Sequence, residues 1–210
     1  MGLFGRVVVA MMPLTPRFVV RWVAKRYVAG PDIDSAILLM SRMSSENACF
    51  TVDVLGEEIA TLNEAKFFID EYDRLIDAIV ESGLDANISI KPTAFGLLID
   101  NSAAHTNIER LLRRAASDDI FVRLDMEDHR VTQATIDVAL AMHEKGLTNI
   151  GVVLQGRLFR TSSDISEISK ATGVATDFRI CKGIYLEPSD IAHSGYREIV
   201  DATNQAIDVM

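Results

Sequence analysis

The chain has 210 residues, 49% hydrophobic and 24% charged, with a net charge of −9. That is enough apolar material for one substantial core, and it leaves little room for long disorder. The charge is uneven: residues 1–30 hold Arg6, Arg17, Arg21, Lys25 and Arg26 with no acid, so the remainder carries −14 and has no basic footprint for nucleic acid.

Near the N-terminus, VVVAMMPL (7–14) is too short for a signal segment with its cleavage site. No apolar run reaches the ~18 residues of a membrane span, so secretion is not expected. Cys49 and Cys181 lie in or beside apolar runs and read as buried thiols of a reducing cytoplasm. Thr15-Pro16 predicts a helix start, with Thr as N-cap and Pro in the first turn, and Gly30-Pro31 predicts its end. Arg17, Arg21 and Lys25 form one basic stripe on it, while Phe18, Val19, Trp22, Val23 and Tyr27 form the apolar side. Such a helix suits either an anionic membrane surface or packing on its own protein. Ile33, Ala36, Ile37, Met40 and Met43 predict a second helix over 33–45.

From residue 48 the chain alternates strands and helices. Five apolar runs, ACFTVD, ANISIK, IFVRLD, NIGVVLQ and FRICK, end in Asp53, Lys91, Asp125, Gln155 and Lys182. Helices are predicted from a Thr61–Glu64 capping box to Gly83, over 105–116, from Thr132 to Gly146, over 162–172 and over 194–210. Regular βα units imply parallel strands with right-handed crossovers. No G-x-G-x-x-G follows the first strand, and polar residues gather at every strand end. Both points favour an α/β chain folded as an incomplete (βα)8 TIM-like barrel of about five units, over 48–210, behind a helical segment over 1–47. A whole barrel needs eight units and about 250 residues, so part of one is expected to be missing.

Lys91 can bind a carboxylate or form a Schiff base, or be a solvated strand-end lysine. Asp125 and Glu127, two apart in RLDMED, share a face if the strand continues. Gln155 offers donors and an acceptor without charge, suited to a heterocycle edge. Arg179, Lys182, Gly183 and Tyr185 make a plausible cradle for a pyrophosphate and a neighbouring ring. The four histidines lack zinc spacing, so no metal is expected. Asp70, Glu71, Asp73 and Asp77 read as the solvated face of a helix.

The segments TVDVLGE (51–57), ISIKPTAFG (88–96), RLDMED (123–128), GVVLQ (151–155) and RICKGIYLEP (179–188) resemble the FAD-dependent proline dehydrogenases, in order and spacing. The resemblance implies a distorted (βα)8 barrel that oxidises L-proline to Δ1-pyrroline-5-carboxylate by hydride transfer to flavin N5, with quinone as the usual electron acceptor. It implies that Lys91 lies near the proline carboxylate and the flavin, and that Asp125 hydrogen-bonds within that site. Val153 and Gln155 would contact the isoalloxazine, and Arg179 would lie beside N5. Lys182, Gly183 and Tyr185 would hold the rest of FAD. It also implies a cytoplasmic protein, with peripheral contact at the inner membrane face an open option. Two departures stand out. Gln155-Gly156-Arg157 replaces the family's Q-A-Y, and the sixth to eighth strands and the late arginine-bearing helix have no counterpart. The 210 residues alone are therefore expected not to oxidise proline. The alternatives are a non-catalytic flavin- or protein-binding fragment completed by another chain, and a cofactor-free Schiff-base lyase using Lys91.

Overall fold

The computed structural model describes residues 15–24, 28–173 and 176–210. The chain divides into two compact units between Ala48 and Cys49. In the first, α1 (Arg17–Ala24) starts with the Pro16 carbonyl accepting from Val19 N–H (2.9 Å). The expected VVVAMMPL segment and the Lys25 and Tyr27 positions lie outside the described residues. Helix α2 (Ile33–Ser44) is capped by Asp32, whose carboxylate accepts from Ser35 N–H at 2.9 Å.

The second unit is a five-stranded parallel sheet in the order β1 (Phe50–Asp53), β2 (Ala86–Ile90), β3 (Val122–Leu124), β4 (Ile150–Gln155), β5 (Asp177–Cys181). Each strand pairs with the next in sequence, as in the first five units of a TIM-like barrel. Between and after the strands run α3 (Leu62–Ser82), a short 3₁₀ turn (Pro92–Phe95), α4 (Asn101–Ala116), α5 (His129–Glu144), α6 (Thr161–Thr172) and α7 (Tyr196–Val209).

Strand parity divides the sheet. Ile88, Ile90, Val122, Leu124, Ile150, Val152 and Leu154 are all buried on the helix-covered side. There they form the core with Phe68, Ile69, Leu75, Ile76 and Ile79 of α3 and Ile108, Leu111 and Leu112 of α4. The opposite, inner side carries Asp53, Ser89, Lys91, Arg123, Asp125, Gly151, Val153, Gln155, Asp177 and Arg179. One face of each strand thus builds the core, and the other gathers polar and charged side chains. At position 151 on the inner side only glycine fits, since a Cβ there would stand 2.7 Å from the Asp177 carbonyl oxygen and 2.8 Å from the Phe121 ring.

Several local expectations change. Helix α4 begins four residues early because Asp100 caps it, accepting from Ala103 N–H at 3.0 Å. Helix α5 begins at His129 because Asp128 accepts from Arg130 N–H at 2.9 Å. The Thr61–Glu64 box does not form: Glu64 accepts from Ala60 N–H and not from Thr61 N–H, and the Thr61 hydroxyl bonds the Glu64 carboxylate (3.0 Å) instead of the backbone. Cys49 is exposed, lying just before β1, and donates to Asp85 at 3.1 Å; Cys181 is half-buried. The acidic face of α3 is not simply solvated, since Asp73 pairs with Arg110 (2.6 Å) and Asp77 with Arg114 on α4.

Candidate active site

One row of charge crosses the inner face near the strand C-terminal ends. Lys91 follows β2 directly, and its ammonium lies 2.6 Å from Asp53 Oδ2 and 3.5 Å from Asp125 Oδ2. Asp125 follows β3, fixed by its N–H donating to the Ile90 carbonyl at 2.8 Å. Its Oδ1 accepts from Ser89 Oγ (2.5 Å) and from Arg179 of β5. Register places Arg179 level with Val153. Negative, positive, negative, positive: Asp53, Lys91, Asp125 and Arg179 alternate across strands β1, β2, β3 and β5.

Lys91 is only 18% exposed in its side chain. Burial alone would lower its pKa, but Asp53 and then Asp125 outweigh burial and hold it above the ordinary lysine value. The row therefore presents two fixed cations, each backed by a carboxylate, which suits a bound anion.

Gln155 closes the row's far end. It is 1% exposed; Nε2 donates to the Glu127 carbonyl at 2.6 Å, and Oε1 is buried without a partner. Gly183, at φ +93°, lies against it, and a Cβ there would fall 2.4 Å from Gln155 Oε1. Tyr185 donates to Glu57 at 3.0 Å. Lys182, by contrast, is exposed with its ammonium 5.2 Å from the Tyr196 ring centre on α7, so Arg179 and Lys182 are not brought together. Strand parity sends neighbouring residues of β5 and its extension to opposite sides.

Asp125 and Glu127 also part company. The strand ends at Leu124, and Glu127 turns into the protein, where its carboxylate accepts from Thr93 N–H (3.0 Å) and Thr93 Oγ1. Burial raises its pKa against the pull of those two bonds. Glu127 thus braces the loops after β2 and β3. Arg157, 9% exposed, donates to the Tyr185 and His193 carbonyls and staples the loop after β4 to the loop after β5. Its alternation with Gln155 gives no signal of this, because a strand-end arginine reads as solvated.

A separate cleft of about 410 Å³, lined in part by His129, Leu158, Phe159 and Ile191, shares no residue with the charged row. Among the described residues no group of three or more His, Cys, Asp or Glu could hold a metal ion. No described helix is long and apolar enough to cross a membrane.

A family model described as proline dehydrogenase matches residues 37–210. Proline dehydrogenase 1 of Bacillus subtilis strain 168 is 32% identical over 169 residues, covering 80% of this chain and 55% of that protein. The proline dehydrogenase of Deinococcus radiodurans is 31% identical over 174 residues, covering 81% of this chain and 55% of that protein. The crystal structure of proline utilization A from Bdellovibrio bacteriovorus superposes with a TM-score of 0.79 at 20% identity, over 87% of this chain and 23% of that one. That likeness establishes the barrel fold. The chain spans about half the length of the curated relatives it matches.

Proposed function

This chain belongs to the proline dehydrogenase family, and from that premise we propose that the whole protein oxidises L-proline to Δ1-pyrroline-5-carboxylate with FAD. The observation that carries the reading is the alternating row Asp53–Lys91–Asp125–Arg179 on the inner face. Lys91 holds the proline carboxylate, and Asp53 and Asp125 keep it charged and aimed. Val153 and Gln155 would hold the isoalloxazine ring with an apolar and an amide contact, and Arg179 would supply a cation beside it. Gly183 and Tyr185, with Lys182 at the rim, hold the remainder of the cofactor. The residues present fit that group: Gln155 Oε1 is a buried acceptor without a partner, and Gly183 allows backbone to approach it closely. When bound, FAD supplies a two-electron acceptor for the hydride that proline gives up. Arg179, as a fixed guanidinium, stabilises negative charge gained there. Lys91 remains an ammonium through the neutral range and so orients substrate instead of acting as a base.

The test is purification of the whole protein with its flavin absorbance, followed by proline-dependent dye reduction in wild type and Lys91→Met. A colourless protein that reduces no dye with proline would overturn the reading. A colourless protein with a borohydride-trapped adduct on Lys91 would establish the Schiff-base alternative.

A second proposal concerns location. Phe18 and Trp22 of α1 are each 73% exposed, on a segment whose sequence carries five cations and no acid. These features support peripheral contact with an anionic membrane at the cytoplasmic face, where quinone is the available acceptor. Sedimentation with anionic vesicles, lost on replacing Trp22 and Arg21, tests it; equal sedimentation with neutral vesicles refutes it.

A further inference from the structure

Helix α3 buries Ala65, Phe68, Ile69, Tyr72, Leu75, Ile76 and Ile79, and in that apolar stripe Tyr72 alone ends in a hydroxyl. It is 1% exposed, and its ring lies against Phe95, with centroids 5.8 Å apart. A phenylalanine would supply the same ring and avoid burying a polar group, which is costly unless the group is bonded. The hydroxyl accepts one bond and shares its single proton between two acceptors. It accepts from Val54 N–H (3.2 Å) and faces the Ser89 carbonyl (2.7 Å) and Asp53 Oδ1 (3.0 Å). Burial, then the Asp53 charge, push its pKa well above the ordinary tyrosine range, so it stays a neutral donor.

These bonds lead to the charged row. The two oxygens of Asp53 are divided, Oδ1 to Tyr72 and Oδ2 to the Lys91 ammonium. The other carboxylate beside Lys91 is also tethered: Asp125 is held by Ser89 and Arg179. Asp53 has no protein donor besides Tyr72 and Lys91 among the described residues.

We propose that Tyr72 is a positioning residue for Lys91, acting through Asp53: its hydroxyl fixes the carboxylate, and the carboxylate fixes where the ammonium is presented. This deepens, and rests on, the reading of Lys91 as the group that holds the proline carboxylate. Without the hydroxyl, Asp53 is free to rotate, and Lys91 is shared between Asp53 and the more distant Asp125.

Tyr72→Phe removes only the oxygen, and Asp53→Asn removes the acceptor should the first variant fold poorly. The first readout needs no activity: the ¹⁵N resonance of the Lys91 ammonium in the 210-residue chain. A held ammonium exchanges slowly and gives a signal; the proposal expects that signal in wild type and its loss in both variants, with other lysine signals retained. The second readout is steady-state kinetics of the whole flavoprotein. There KM for L-proline is expected to rise about ten-fold in Tyr72→Phe with kcat little changed, as for loss of one hydrogen bond to a charged group. A purely structural tyrosine would lower stability without that split. A Lys91 signal unchanged in Tyr72→Phe, or absent from wild type, overturns the proposal. Loss of the Lys91 signal with an unchanged proline KM supports the positioning of Lys91 and removes Lys91 from the proline carboxylate.

Discussion

Replacing Gly156 by alanine adds one methyl group where β4 meets α7. An ideal Cβ at 156 would lie 2.3 Å from Thr203 Oγ1, 2.7 Å from Thr203 Cα and 2.8 Å from Thr203 Cβ. Rotation of the threonine side chain relieves only the first of these. The other two move only if α7 itself retreats. Overpacking of this kind costs about 1–3 kcal/mol. The φ of Gly156 is not in the left-handed region, so alanine also stiffens the unfolded chain and returns about 0.4–1 kcal/mol. The net expectation is a loss of about 1–2 kcal/mol. With a urea dependence of about 2 kcal/mol per molar, the unfolding midpoint should fall by roughly 0.5–1 M. Thr203→Ala on top of the alanine should recover less than half of the loss, because the clash with the α7 backbone persists. A midpoint that is unchanged or raised by Gly156→Ala would refute the close approach of α7. The same crowding gives a physical reason for glycine at position 156 of this chain.

Other consequences can be measured directly. Lys91 has a folded pKa above its unfolded value of 10.5, so its contribution is fully present below that pH and is lost as pH rises through the folded value. The stability gap between wild type and Lys91→Met, from urea midpoints between pH 7 and 11, should therefore be flat to about pH 10 and shrink above it; a gap that closes near neutrality contradicts the pairing with Asp53 and Asp125. On the proposed flavin reading, Arg179→Met should make the two-electron midpoint of the bound flavin more negative by about 30 mV or more, since loss of a nearby cation disfavours the reduced anion. Spectroelectrochemical titration would show this, and an unchanged potential would move Arg179 away from the ring. Asp73→Ala and Arg110→Ala, at a pair whose arginine is exposed and whose aspartate is half-buried, should each cost about 1 kcal/mol or less, with double-mutant coupling that fades in high salt.

The strands are legible because their apolar residues are bounded by polar ends, and each lies within two residues of its expected start. The row is legible only in part. Lys91, Asp125 and Arg179 stand out as strand-end ions, but their convergence depends on register, which no single strand encodes. Proximity in sequence groups Lys182 with Arg179, and strand parity separates them. Glu127 pairs with Asp125 only on the assumption of a longer strand; β3 stops at Leu124, and the side chain turns inward to Thr93. Asp100 and Asp128 are present in the sequence as caps but lie outside the apolar periodicity that marks the helices. Tyr72 is hidden for the opposite reason. It fits that periodicity so well that it reads as one more aromatic of the core, and only its distances to Asp53 and Ser89 reveal the hydroxyl's partners.

The division of each strand between a helix-covered side and a charged side has an evolutionary consequence. Residues such as Ile88, Ile90, Leu124 and Val152 build the core, while Ser89, Lys91, Asp125 and Val153, one position away, lie on the inner side, where the proposed function places the ligand. Selection can therefore revise substrate preference at alternate positions without disturbing the core. A saturation library over 86–91, 122–125 and 150–155 should show fitness effects with a period of two, with stability failures on one parity and catalytic failures on the other.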